Sequence, residues 1–210
     1  MTDFNAMTAA LVSCDSARLT ALVNDALAAD VPAQDILNKG LIAGMDIVGE
    51  KMEAGDMFIP EVLMAAQAMG GCVKILKPML GEEGGSAIGS VIIGTVKGDL
   101  HDIGKNLVAM MLESAGLIVH NLGVDIAPED FVREIKEKKP QLVCLSALLT
   151  TTMPAMKQTV DAIVESGLRN QVKIMVGGAP VTRSFAEEIG ADGFATDAGS
   201  ASKMAKSFIH

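Results

Sequence analysis

Beyond residue 87, short apolar runs and helical patterns alternate without a break, and this alternation restricts the fold more than any other feature of the chain. The runs Ile88–Thr95, Leu117–Leu122, Gln141–Ser146, Val172–Gly177 and Gly193–Thr196 are β-branched or apolar, as buried strands are. Helical patterns lie between them at 102–115, 128–138, 154–166 and 181–189, with a last one near 198–209. Strict alternation over this length predicts a parallel five-stranded sheet covered by helices on both faces, an α/β architecture. In such sheets ligands bind beyond the carboxyl ends of the strands. The loops 96–101, 123–127, 147–153 and 178–182 are therefore where a site is expected.

The first 80 residues have a different rhythm. Leu41, Met45, Val48 and Met52 recur at helical spacing, as do Val62, Ala65, Met69, Val73, Leu76 and Leu80. Pro32 and Pro60 stand where helices start, since a first-turn proline forfeits no intrahelical hydrogen bond. Gly40 and Gly55 stand where helices are expected to turn or end. Four or five short helices are predicted, enough for a small bundle. The polar, glycine-rich stretch Gly81–Ser86 then separates two expected domains, 1–82 and 83–210, and its glycines make it the expected hinge.

Composition excludes several classes. Seventeen basic side chains against 26 acidic ones give a net charge of −9, and only 3% of residues are aromatic. Nucleic-acid binding needs a basic face and aromatic plates, so no nucleic-acid partner is expected. The longest uncharged stretch, Pro140 to Met156, is too short for a membrane span and holds Pro140 and Pro154. The opening Met1–Phe4 lacks the marks of a signal peptide. Cys14, Cys72 and Cys144 are scattered and odd in number, which fits reduced core thiols. A soluble, cytoplasmic protein without a membrane partner is expected.

The loop after the first strand reads Val96–Lys97–Gly98–Asp99–Leu100–His101–Asp102–Ile103–Gly104–Lys105–Asn106. A phosphate-binding loop would need four residues between its glycines and Ser or Thr after Gly-Lys; here five residues intervene and Asn106 follows. A histidine–aspartate phosphohydrolase would need further histidine ligands, and the others are His120 and His210, which have no motif around them. Alone, the loop would read as Asp102 capping the next helix, with Asp99 and His101 solvated. It is not alone. Ser146–Ala147–Leu148 ends the third strand and Gly177–Gly178 ends the fourth.

The three blocks D-x-H-x-x-G, S-x-L and G-G, in this order and each at a strand end, resemble the cobalamin-binding domain of methionine synthase and related methyl-transfer proteins. Thr95 to Asn106 is similar to that family's loop almost residue for residue. Val48–Met52, Gly55, Phe58–Glu61 and Met69 resemble the helical cap that precedes this domain in corrinoid methyl carriers of anaerobic methyltransferase systems. The resemblance covers nearly all of the chain, to about residue 205. It implies a helical-bundle cap domain followed by a Rossmann-like, doubly wound cobalamin-binding domain.

The resemblance also implies roles. His101 would replace the cofactor's own base as lower cobalt ligand, with Asp99 gripping its second nitrogen. The family continues this relay to a hydroxyl, usually serine, six positions after the serine of S-x-L; here that residue is Thr152. Gly98, Leu100, Asp102, Ile103 and Gly104 would complete the cofactor loop. Ser146, Leu148, Thr150, Gly177 and Gly178 would lie along the displaced nucleotide tail, where small residues make room. Met52 and Ile59 would shield the methyl group on the upper face, although Met at helical spacing is equally core.

The implied function is carriage of a methyl group on cobalamin, as methylcob(III)alamin and cob(I)alamin. A substrate-specific methyltransferase would load it, and an acceptor methyltransferase acting on a folate or a thiol coenzyme would unload it. A reductive activator would rescue oxidised cobalt. The chain itself is a component of that system rather than a complete enzyme. Two other classes share the three blocks. A small cobalamin-binding mutase subunit would have no need of the 80-residue helical half. A cobalamin-based sensor would pair the domain with a DNA-binding module, whereas residues 1–80 carry five basic against ten acidic side chains.

Overall fold

The computed structural model of the chain describes residues 2–80 and 88–209. They fall in two units, Met1–Ala87 with Ser114–Gly116, and Ile88–Glu113 with Leu117–His210. The Gly81–Ser86 stretch expected as boundary and hinge lies outside the described residues, as does His210.

In the first unit, α1 (Phe4–Val12) and α2 (Ser16–Ala28) begin on Asp3 and Asp15, whose carboxylates accept the Ala6 and Arg18 N–H groups. Each cap satisfies one of the donors that a helix start leaves open. A short α3 (Ala33–Asp35) follows Pro32 and runs through a π-helical stretch, Ile36–Ile42, into α4 (Ala43–Glu53). Gly40, expected to turn or end a helix, lies inside this run. A Cβ there would come within 2.9 Å of Met7 Sδ, and one on Gly44 within 2.6 Å of Leu11 Cδ2. The two glycines instead let α1 close onto the helix. Gly55 does follow the end of α4, with φ +79.

Helix α5 (Ile59–Leu76) has Pro60 in its first turn, and the Glu61 carboxylate accepts the Phe58 N–H at 2.8 Å. A single 3-10 turn, Lys77–Met79, follows, so Leu80 falls outside the helix. The stretch Ile59–Met79 is long and apolar enough by composition to cross a membrane. Its Val62, Ala65, Met69, Cys72 and Leu76 are buried, and α5 packs on α1, α2 and α4. That hydropathy supplies the core of the bundle.

The second unit is an alternating run: β1 (Gly89–Val96), α6 (Ile103–Ser114), β2 (Leu117–Ile126), α7 (Pro128–Lys138), β3 (Leu142–Ser146), α8 (Met153–Glu165), β4 (Lys173–Gly177), α9 (Arg183–Glu188), β5 (Gly193–Ala195) and α10 (Ala198–Ile209). The five strands are parallel in the order β2-β1-β3-β4-β5. Alternate side chains sort to the two faces, as the two-residue period of a strand requires. Ile92, Val143, Leu145, Ile174 and Val176 pack with Phe131 and Ile135 of α7, Met156, Val160 and Ile163 of α8, and Ala186 of α9. Val91, Ile93, Leu142, Cys144 and Met175 pack with Ala109 and Leu112 of α6 and Ala201 and Ala205 of α10. Each fully buried Val, Leu or Ile favours the folded state by about 1.5–3 kcal/mol.

β2 runs four residues past its expected end at Leu122, so most of the expected loop 123–127 is strand. Its pairing with β1 is irregular: Ile93 faces Asn121, Gly94 faces Gly123 and Val96 faces Ile126. One extra residue is inserted on β2 at each step, which makes two bulges.

Candidate functional site

The winding of the sheet reverses between β1 and β3. The connections leaving these two neighbouring strands go to opposite faces, which opens a crevice at their carboxyl ends. One side chain ties the two loops together there. Asp99, after β1, is fully buried. Its Oδ1 accepts the His101 N–H at 3.0 Å and lies 2.7 Å from His101 Nδ1. Its Oδ2 accepts the Leu148 N–H and the Thr152 hydroxyl, each at 2.7 Å, from the loop after β3.

Burial by itself would raise the Asp99 pKa. The hydrogen bonds from the Leu148 and His101 N–H groups, the Thr152 hydroxyl and the His101 ring outweigh it and hold the carboxyl well below the usual carboxylate range. An ionised carboxylate can only accept, so His101 Nδ1 carries a hydrogen, and in the neutral imidazole Nε2 is then the nitrogen with the lone pair. The His101 side chain is half exposed. The result is an oriented imidazole with one free nitrogen, held by a buried anion.

Contacts absent from the sequence reading hold the loop itself. The Thr95 hydroxyl, at the buried end of β1, donates to the His101 carbonyl at 2.9 Å. Asp125, near the end of β2, accepts the Gly98 N–H at 2.8 Å, and its own N–H donates to the Asp99 carbonyl at 3.0 Å. On the far side, Asn106 donates through Nδ2 to the Asp102 carboxylate at 2.9 Å. The buried Lys105 ammonium donates to Asn106 and Asn121 at 2.6 and 2.7 Å. Burial lowers the Lys105 pKa, and Asp102 opposes the shift. The motif letters announced Asp99, His101 and Thr152. Thr95, Asp125 and Asn121 carry no such signal, because their partners lie on another strand or at a loop's backbone.

The surroundings of His101 are apolar and open. Leu100 and Ile103 are 72% and 79% exposed, and Leu148 and Leu149 are 42% and 43% exposed. Large apolar side chains grouped in this way on a soluble surface mark a binding face. At Gly104 an added Cβ would meet nothing within 4 Å. Gly177 and Gly178 differ: a Cβ on Gly177 would lie 3.1 Å from the Ala195 carbonyl oxygen, and one on Gly178 only 1.9 Å from that of Ala147. Close strand packing therefore accounts for both. Ser146 ends β3 between Thr95 and Gly177, and Thr150 is exposed.

In the helical unit, Met52 is half-buried and Ile59 exposed. Phe58, part of the stretch that resembles the cap, and Met64, not singled out from the sequence, are also exposed, at 68% and 50%. Cys72 and Cys144 are buried, and burial raises the pKa of both thiols. His120 is half-buried in β2.

One imidazole is not a metal site on its own. Among the described residues no group of three or more His, Cys, Asp and Glu could hold an ion. A metal at His101 would have to bring its other ligands with it, as cobalt in a corrin ring does. The site fits that group: a free imidazole nitrogen stands among exposed Leu100, Ile103, Leu148 and Leu149, beside a glycine with open space over it.

Comparison with known proteins points the same way. Residues 89–202 match a family described as a B12 binding domain, and residues 4–77 match a second model of the same description. The dimethylamine corrinoid protein 3 of Methanosarcina acetivorans is 42% identical over 200 residues, covering 95% of this chain and 93% of the relative. A cobalamin-binding protein from Desulfitobacterium hafniense superposes with a TM-score of 0.87 at 33% identity, over all of both chains. The methanol:cobalamin methyltransferase complex of Methanosarcina barkeri contains a chain that matches with a TM-score of 0.85 at 28% identity, over 98% of this chain and 79% of that one.

Proposed function

The chain belongs to the B12-binding corrinoid proteins of methyltransferase systems, with cobalamin as its cofactor, and from that premise we propose that it carries a methyl group between two methyltransferases with His101 as the cobalt ligand. The observation that carries the residue assignment is the Asp99–His101 pair, 2.7 Å apart at the point where the sheet reverses. When bound, the corrinoid supplies a cobalt that takes up and releases a methyl group; the chain supplies ligation and surroundings.

Each residue then has a definite task. Asp99 keeps the hydrogen on His101 Nδ1 and turns the Nε2 lone pair outward. A carboxylate on the far nitrogen also makes an imidazole a stronger donor to a metal. Leu148 and Thr152 lock Asp99 from the neighbouring strand's loop, so the imidazole is fixed to two strands rather than one. Thr152, where the family usually has serine, keeps the hydroxyl in reach of Asp99. Gly98 supplies the left-handed turn that Asp99 and His101 follow, with φ +83. Leu100, Ile103 and Leu148 offer apolar surface to the ring, Gly104 leaves it room, and Ser146, Thr150, Gly177 and Gly178 border the cofactor's tail. Met52 and Ile59 are assigned to shielding the carried methyl group.

The donor that this reading favours is a methylated amine, since the dimethylamine relative is 42% identical against 28% for the chain of the methanol system. A separate enzyme of the folate or thiol-coenzyme type takes the methyl group, and a reductive activator returns oxidised cobalt to service. Reconstitution with hydroxocobalamin, gel filtration and visible spectroscopy test the assignment. The loaded protein should show the base-off, histidine-on spectrum, His101→Ala should lose it, and His120→Ala should keep it. A colourless protein after gel filtration refutes cofactor binding, and an unchanged spectrum in His101→Ala refutes the ligand. Mixing the loaded chain with methylamine and methanol methyltransferases then identifies the donor.

A further inference from the structure

We infer that Asp125, near the end of β2, is a positioning residue for His101: it fastens the turn that carries Asp99, and so determines whether the imidazole is presented to cobalt. The inference rests on the assignment of His101 as cobalt ligand and adds a residue from a different strand, outside the three sequence blocks.

Three observations carry it. The first is convergence. Asp125 Oδ1 accepts the Gly98 N–H at 2.8 Å and lies 3.3 Å from Lys97 Nζ, while the Asp125 N–H donates to the Asp99 carbonyl at 3.0 Å. One residue thus holds three consecutive positions, 97, 98 and 99, and the third carries the carboxylate that orients His101. The second is the backbone. Asp125 has φ +56, a left-handed conformation that an L residue adopts at a cost and that Asp tolerates better than most. Glycine would sit there without strain but would bring no carboxylate, so the side chain is what the position requires. The third is the bulge. β2 inserts an extra residue between its pairings at Gly94 and Val96, and Asp125 lies in that insertion. Bulges re-aim side chains, and this one turns a carboxylate toward the loop of the adjacent strand.

The contacts are exposed, with the Asp125 and Lys97 side chains 43% and 57% accessible. Exposed ion pairs contribute little to global stability. A local clamp of this kind should therefore move the geometry of the loop far more than the melting temperature. That separation distinguishes positioning from a merely structural role.

The test uses the full chain loaded with hydroxocobalamin, and compares Asp125→Asn, Asp125→Gly and Asp125→Ala with the parent protein and with His101→Ala. Three quantities are read: the histidine-on fraction from the visible spectrum, the affinity of the apo protein for hydroxocobalamin, and the apo melting temperature. Asn can still accept the Gly98 N–H and tolerates the left-handed backbone, so its affinity should stay within about twofold. Gly and Ala should lose about tenfold in affinity, the low end for groups that orient a metal ligand. They should also show a mixed histidine-on and histidine-off spectrum while melting close to the parent. Gly relieves the φ strain and keeps the test decisive if the Ala variant does not fold. Parent-like affinity and spectrum in the Gly and Ala variants overturn the inference, as does an Asn variant no better than Ala. If His101→Ala keeps the parent spectrum, the ligand assignment itself falls and this inference with it.

Discussion

Replacing Asp99 by Asn keeps the shape of the side chain but turns one of its two accepting oxygens into a donor. With the amide oxygen kept toward His101, the new NH2 faces the Leu148 N–H and the Thr152 hydroxyl, both now 2.7 Å from Oδ2. Thr152 can adjust, because its hydroxyl also lies 2.9 Å from the Leu149 carbonyl, to which it can donate while accepting from the amide. The Leu148 N–H is fixed by the backbone and stays aimed at a donor. Stranding one buried donor costs about 1–3 kcal/mol. The remaining contacts lose their charge assistance, which roughly halves their strength. The neutral side chain recovers part of this by avoiding the burial of a charge. A net loss of about 3 kcal/mol follows, equivalent to roughly 6–12 °C of melting temperature for a chain of this size.

Differential scanning calorimetry of the apo protein between pH 3 and pH 7, against Asp99→Asn, measures this directly. The Asp99 pKa is lowered in the folded state, so its stabilisation is fully present above the ordinary carboxylate pKa, near pH 4. It is lost as pH falls through the lower folded value. The gap between parent and variant should stay constant from pH 7 to about pH 5 and narrow only below about pH 4. A variant that melts within about 1 °C of the parent at pH 7 would show that the four contacts on Asp99 contribute nothing net. A gap that fails to narrow between pH 4 and pH 3 would show that the carboxyl is not stabilised as the anion.

Further outcomes follow from the same geometry. Thr152→Val removes a hydrogen bond to an ion and should cost about 2 kcal/mol, whereas Thr152→Ser loses only a methyl group, about 1 kcal/mol; urea denaturation of the apo protein separates the two. Gly178→Ala should give little folded protein on expression, because φ is +131 and the new Cβ would fall 1.9 Å from the Ala147 carbonyl oxygen. Gly104→Ala meets nothing within 4 Å and should raise apo stability by about 0.5–1 kcal/mol while lowering hydroxocobalamin affinity, read by titration. Gly71→Ala, exposed and inside α5 with nothing within 4 Å, should stabilise the apo protein by a similar amount without changing that affinity.

The strands, their parallel pairing and the motif residues were legible in the chain because each rests on residue type. Four of the five apolar runs end within one residue of the observed strand, since burial on both faces leaves no alternative to continuous apolar sequence. β2 outruns its apolar stretch because pairing with β1 carries the strand through Gly123 by way of two bulges. Gly40 differs from its expected place at a helix turn or end in the same way: only the presence of Met7 beside it shows that a helix crossing asks for glycine. Asp99, His101 and Thr152 were identifiable through the resemblance that their motifs carry. The Leu148 N–H was not, because a backbone donor leaves no letter in the sequence. Asp125 could be placed only once the register of β2 was known.

Packing divides the conspicuous residues of the site into two groups. The chain's own structure accounts for the first: Gly94, where a Cβ would lie 2.7 Å from Phe131; Gly177 and Gly178, pressed against neighbouring backbone; and Asp99, Thr95 and Thr152, buried and hydrogen-bonded. These would be needed for the fold whether or not anything bound. The second group has no such internal use. Leu100 and Ile103 are exposed, the His101 side chain is half exposed, and Gly104 opens on free space. All four lie within five consecutive residues at the junction of β1 and α6. An apolar side chain left in water and a helical glycine without a packing reason each cost stability, and a bound apolar cofactor lying over the segment would account for both. On the proposed reading, two strands, a bulge and a buried carboxylate hold this one short segment in place for the cofactor.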